Sequence, residues 1–315
     1  MLKVLVTVPT GEKDLAVLGD YRSRVELVVS QRPDPAAIES TEVFVTFGFD
    51  LTGELISRAA NLRWVQLFRA GVDMLPLRDL LAREITVTTV SGIHAIPMAE
   101  HALAMIIMLA HKFHLFGRRQ AQKKWNREAV ITEAWEKTVG IIGTGHVGTE
   151  VAKKARALGM RSIGLNTRGT PVDGVEKVLS RDRMDQLLRE SDFVVVTVPL
   201  TPATREFLGE REFTMMKPTA SLINLARGEV IDEKALVRAL QDGVIGGAGL
   251  DVFAAEPLPP DSPLWAMENV IITPHVSGIS DRYVERGMAI FAENLAACLT
   301  GGRPVRNIVD LQRGY

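Results

Sequence analysis

At 315 residues with a formal net charge of −1, the chain has room for two ordinary domains. It lacks the excess of Lys and Arg that a general nucleic-acid binder needs. Its composition, 46% hydrophobic and 24% charged, is that of a globular protein outside the membrane. One cysteine, Cys298, excludes an intrachain disulfide and fits a reducing compartment, so a cytoplasmic protein is expected.

The amino terminus, "MLKVLVTVPTG", alternates like a strand and shows no apolar stretch with a cleavage site. Short apolar runs then recur with helical or turn segments between them: "VLVTV", "VELVV", "VFVTF", "RWVQLF" and "ITVTTV". That rhythm predicts a parallel α/β sheet. A long helical pattern follows from Pro97 to about Lys124, with the proline in the first turn. Its most apolar window, "ALAMIIMLA" (102–110), is too short to span a bilayer and predicts a buried helix.

A second series predicts strands at 138–142, 161–165, 192–198, 219–224, 246–250 and 270–273. Helices are expected at 147–158, 183–190 and 232–242, and a last one at about 281–300. The fold class is therefore α/β, with two Rossmann-like doubly wound parallel-sheet domains. Residues 97–280 form a dinucleotide-binding domain, inserted into a flavodoxin-like substrate domain made of 1–96 and 281–315.

The segment "GTGHVG" places Gly143, Gly145 and Gly148 in G-x-G-x-x-G spacing, after an apolar strand and before an amphipathic helix. The first glycine allows a tight turn, the second lets backbone approach a pyrophosphate, and the third lets the helix pack on the strand. The helix amino terminus then offers N–H groups and partial positive charge to the phosphates. At the end of the next strand, "LNTRG" has Asn166 where an acidic residue would hold a ribose diol. A carboxylate there would repel a 2′-phosphate; Asn166 does not, and Arg168 brings a fork of donors suited to phosphate. NADP is the expected cofactor, with NAD as the alternative in which Arg168 only decorates the turn.

Three more polar segments follow predicted strands: "INLARGEVID", "GLDVFAAEP" and "VIITPHVSG". In an open parallel sheet the ligand crevice lies at the carboxyl ends of strands, so these loops converge on one cleft. Together with "RAGVD" (69–73), "MAEHAL" (98–103) and "VPLTPAT" (198–204), they make the chain resemble the D-isomer-specific 2-hydroxyacid dehydrogenases from end to end. The resemblance implies Arg227, Glu256 and His275 as the catalytic set. It implies a small 2-keto or 2-hydroxy acid substrate, its carboxylate received by backbone near Ala70 and Gly71 and by Arg227. His94, in the stretch that should connect the domains, and Arg69, beside the carboxylate loop, are further substrate-binding candidates by position. Cofactor-facing positions would be Gly143, Thr144, Gly145, His146, Val147 and Gly148, then Asn166, Thr167 and Arg168. Further along they would be Val198, Pro199, Thr204, Ala226, Asp251, His275 and Gly278, with Asp251 and Pro199 bordering the nicotinamide.

Keto-acid reduction asks for these residue types on its own terms. A histidine supplies the proton near neutral pH, a neighbouring carboxylate orients it, and a guanidinium grips the substrate carboxylate and polarises its carbonyl. Members of the family commonly pair as homodimers through their cofactor domains, so the apolar helix after Pro97 is expected at such an interface. No metal and no membrane partner are expected, and His111 and His114, three apart on a helix, have no third ligand nearby. Phosphoglycerate dehydrogenase is the nearest alternative enzyme. A dinucleotide-sensing scaffold of the co-repressor type is the alternative from another class.

Overall fold

The computed structural model describes residues 1–32, 35–72 and 74–312. The chain forms two compact units, Met1–Ile93 with Ser280–Tyr315, and His94–Ile279.

In the first unit five short runs rich in Val, Leu and Thr become parallel strands: β1 (Leu2–Val6), β2 (Val25–Val29), β3 (Val43–Thr46), β4 (Trp64–Leu67) and β5 (Thr86–Thr88). Their order is β2-β1-β3-β4-β5, so the chain reverses direction across the sheet beside β1. β3 and β4 are buried at every position, as strands covered on both faces must be. The helix Tyr283–Leu299 supplies Phe291 and Leu295 to the core beside Trp64 and Phe68. A polar chain runs through this core: Trp64 Nε1 donates to Thr88 Oγ1, and Thr88 Oγ1 donates to Gln66 Oε1. Asn294 Nδ2 donates to the same Gln66 oxygen, while Asn294 Oδ1 accepts from the backbone N–H groups of Val305 and Arg306. Satisfied in this way, the buried amides fix where the last segment lies.

The second unit holds seven parallel strands: β6 (Thr138–Ile142), β7 (Arg161–Asn166), β8 (Lys177–Ser180), β9 (Phe193–Val196), β10 (Ser221–Asn224), β11 (Gly247–Leu250) and β12 (Val270–Ile272). The order β12-β11-β10-β9-β6-β7-β8 places the switch point between β6 and β9. The amphipathic helices His146–Ala157 and Glu233–Gln241 bury small and branched residues against the sheet, and Asp232 caps the second by accepting from the Ala235 N–H. Both units are thus doubly wound, and the second interrupts the first in sequence.

One local expectation needs correction, and two short elements were not foreseen. The helix expected from Pro97 to Lys124 is two helices, Ala95–Ala110 and Phe113–Ala121, because Lys112 sits at φ 61 in the left-handed region and ends the ladder. No glycine or proline marks that break. Strand β8 and the helix Glu210–Met215 carried too little periodicity to be foreseen, being four and six residues long.

Candidate active site

The glycine turn shows why its spacing is required. Gly143 lies at φ 103, and a Cβ at Gly148 would stand 2.0 Å from the Gly143 carbonyl oxygen. Both positions exclude any side chain on grounds internal to the protein. At Gly145 the opposite holds, since a Cβ there would meet nothing within 4 Å. That space, at the amino end of the helix His146–Ala157, is open to a pyrophosphate and fits a dinucleotide. Thr144 and Val147 are partly buried around the turn, and His146 is exposed.

Asn166 is fully committed to local structure. Its Nδ2 donates to Thr144 Oγ1 at 3.0 Å and to the Thr170 carbonyl at 2.8 Å. Its Oδ1 accepts from the N–H groups of Arg168 and Thr170. The amide therefore ties the glycine turn to the loop after β7, leaving Thr167 and Arg168 exposed at the position expected of the adenosine ribose. On the neighbouring β9 loop, Thr204 Oγ1 donates to the Pro199 carbonyl at 2.7 Å and accepts from the Thr201 N–H, folding the segment that includes Val198.

The loops after β10, β11 and β12 lie side by side because those strands are neighbours. Past β10, the buried Asn224 side chain accepts from the Ala226 N–H and donates to the Arg227 carbonyl, closing the turn that presents Arg227. Gly228 then packs on the β11 loop so tightly that a Cβ would stand 1.9 Å from the Phe253 carbonyl carbon. Glu256 Oε1 accepts from the Phe253 N–H, and its Oε2 lies 2.7 Å from His275 Nδ1. A carboxylate only accepts, so Nδ1 carries the proton of this pair and Nε2 is the nitrogen left for chemistry. His275 itself has φ 54, a strained setting for a histidine, braced by its N–H bonds to the carbonyls of Asp251 and Thr273.

Asp251 is 0% exposed and both its oxygens accept from the β12 loop: Oδ1 from Thr273 Oγ1 and the Val276 N–H, Oδ2 from the Ser277 N–H. His94 stands at the start of the helix Ala95–Ala110, against Gly278, where a Cβ would lie 3.0 Å from the ring. Burial, then the positive charge of Arg227, push its pKa down to about 4, so the ring is neutral near pH 7. His114 uses its Nδ1 on the Met108 carbonyl of the preceding helix. Among the described residues no group of three or more His, Cys, Asp and Glu is arranged to hold a metal ion. No helix among them is long and apolar enough to cross a membrane.

In the first unit, Arg69, Ala70 and Gly71 follow β4. Arg69 places its guanidinium 4.9 Å from the centre of the Phe49 ring and donates to the Met74 sulfur. Phe49 and Met74 are 71% and 61% exposed, and neither was marked by any motif. Asn224 was likewise missed, although its place just inside "NLARG" was the available signal.

A phosphate-accepting turn on a Rossmann sheet, with a carboxylate-paired histidine and an arginine on neighbouring strand ends, defines a dinucleotide-dependent oxidoreductase. Comparison with known proteins gives the same class and narrows it. Residues 103–277 match the family described as D-isomer specific 2-hydroxyacid dehydrogenase, NAD binding domain. A glyoxylate reductase from Thermococcus gammatolerans is 33% identical, across 96% of this chain and 94% of its own. A D-3-phosphoglycerate dehydrogenase from Methanocaldococcus jannaschii is 32% identical across 99% of this chain and 60% of its own. The crystal structure of an NADPH-dependent glyoxylate/hydroxypyruvate reductase from Sinorhizobium meliloti, with NADP and sulfate, superposes with a TM-score of 0.83, at 28% identity and 100% coverage of both chains. The chain belongs to the D-isomer specific 2-hydroxyacid dehydrogenase family, and it is an oxidoreductase of that family.

Proposed function

We propose that this enzyme reduces small 2-keto acids of the glyoxylate, hydroxypyruvate and pyruvate type to D-2-hydroxyacids, with NADPH preferred over NADH. The reading rests chiefly on the 2.7 Å pairing of His275 with Glu256. A nicotinamide dinucleotide held at the glycine turn would supply the hydride. His275 donates the proton from Nε2 to the carbonyl oxygen, and in the reverse direction accepts it from the hydroxyl. Glu256 holds the ring in the tautomer that leaves Nε2 correctly disposed, and its charge stabilises the imidazolium. Arg227 binds the substrate carboxylate and stabilises the oxygen as negative charge grows there. Neutral His94 beside Arg227 offers a further hydrogen bond without a competing charge. Asp251 and Pro199 would border the nicotinamide, and Val198, Thr204, Ala226 and Gly278 would be further cofactor-binding positions.

The preference for NADPH is supported by two features of the β7 loop. No carboxylate stands at position 166, and exposed Arg168 is held at the turn by its N–H bond to Asn166. The NADP-bound relative from Sinorhizobium meliloti agrees with that preference. We further infer a cytoplasmic homodimer joined through the second unit. Trp125, Val130, Ile131 and Trp135 there are 89%, 80%, 51% and 60% exposed, an apolar stretch suited to burial by a second copy. Light scattering gives twice the monomer mass if so.

The decisive experiment follows reduced-cofactor absorbance with a panel of keto acids and both cofactors. Turnover of a small 2-keto acid, with the higher kcat/KM on NADPH, is the expected result. Cofactor binding without turnover of any keto acid sinks the reading. The phosphoglycerate alternative keeps a foothold in the likeness to the Methanocaldococcus jannaschii enzyme over nearly the whole chain, and oxidation of D-3-phosphoglycerate in the same assay would favour it.

A further inference from the structure

Behind the histidine–glutamate pair lies a second histidine to which the proposed reaction gives no part. His101, on the helix Ala95–Ala110, places Nε2 3.0 Å from Thr273 Oγ1 and 3.9 Å from Asp251 Oδ1. Thr273 donates its single hydroxyl proton to Asp251 at 2.5 Å. Its oxygen can therefore only accept from the ring, so His101 is the donor and carries its proton on Nε2. The same Asp251 carboxylate also takes the N–H groups of Val276 and Ser277. Thus His101, Thr273 and Asp251 grip the loop on both sides of His275, whose left-handed backbone at φ 54 would relax if the grip were loosened.

We propose that His101 is a positioning residue for His275, acting through Thr273 and Asp251. The proposal rests on His275 being the acid–base group. A ring 172 residues away in sequence from Thr273 fixes the hydroxyl that fixes the buried carboxylate. The carboxylate in turn fixes the height and direction of the imidazole. Small errors in that placement are expensive, since a displacement of about 1 Å in a reacting group can cost about a hundredfold in rate.

The test compares His101→Leu, His101→Gln and Thr273→Val with the wild type. Glutamine keeps a donor at similar reach; leucine and valine remove one end of the hydroxyl link. Leucine and valine variants should lose about tenfold to a hundredfold in kcat, with the NADPH dissociation constant within about twofold of wild type. The glutamine variant should recover most of the loss. A second readout does not need turnover: with labelled histidine, the His275 ring resonances, assigned by their loss in His275→Ala, should move in the leucine and valine variants and hold in the glutamine variant. Unmoved resonances in either His101→Leu or Thr273→Val overturn the proposal, as does a glutamine variant no better than leucine. If the wild type turned over no keto acid, the proposed reaction would fail, while the resonances would still decide the positioning role.

Discussion

The glycine turn after β6 and the histidine loop after β12 both present chemical groups at the carboxyl end of a strand, but they are held in opposite ways. The turn is shaped by backbone alone, where Gly143 takes a left-handed φ and Gly148 lets the helix close on the Gly143 carbonyl. The loop is shaped by side chains, a buried Asp251 gathering Thr273, Val276 and Ser277 around a strained His275. A backbone cradle suits the part of a ligand, here a pyrophosphate, that takes no part in the reaction. A side-chain brace suits a group whose orientation decides a rate.

Substitutions in the two places should therefore fail differently. The largest effect is expected at the loop. His275→Ala should lower turnover by about a hundred- to ten-thousand-fold while cofactor affinity stays within about twofold; retained activity would remove His275 from the chemistry. At the turn, Gly148→Val should do the reverse. Its Cβ would press on a carbonyl oxygen 2.0 Å away, so cofactor affinity should fall by more than about tenfold and stability by about 1–3 kcal/mol. Fluorescence titration with NADPH and a thermal melt check both.

A smaller effect lies in the dependence of stability on pH. Unfolded, His94 takes up a proton near its ordinary 6.5, but in the folded protein only near 4. Between those values the unfolded chain binds more protons, so this contribution is complete above about 6.5 and disappears as the pH falls toward 4. It amounts to about 3 kcal/mol at most. His94→Gln should flatten the denaturant-midpoint profile across that window; an unchanged slope would mean the ring is already charged when folded. The mildest change is expected at the exposed edge of the cofactor site. Arg168→Ala should reduce the kcat/KM preference for NADPH over NADH by about tenfold, the worth of one charge-assisted contact to phosphate.

The same contrast explains what could be foreseen. Strands such as "VFVTF" and "RWVQLF" announce themselves by composition, and the glycine spacing and strand-end Arg227, Glu256 and His275 by position. The break at Lys112 had no signal, because nothing about a lysine marks a left-handed residue. Asn166 was legible as an absent carboxylate, but its four hydrogen bonds to Thr144, Arg168 and Thr170 were not. His101 and Asp251 meet Thr273 from 172 and 22 residues away in sequence. A buried brace of that kind is set by tertiary packing, which local pattern does not encode.

The clasp of Asn294 on Val305 and Arg306, and its bond to Gln66, bears on how the protein emerges from the ribosome. Residues 94–279 are contiguous, whereas the unit begun by β1 needs a helix and a segment that are translated after them. The five-stranded sheet is therefore made before the inserted unit and sealed only after it.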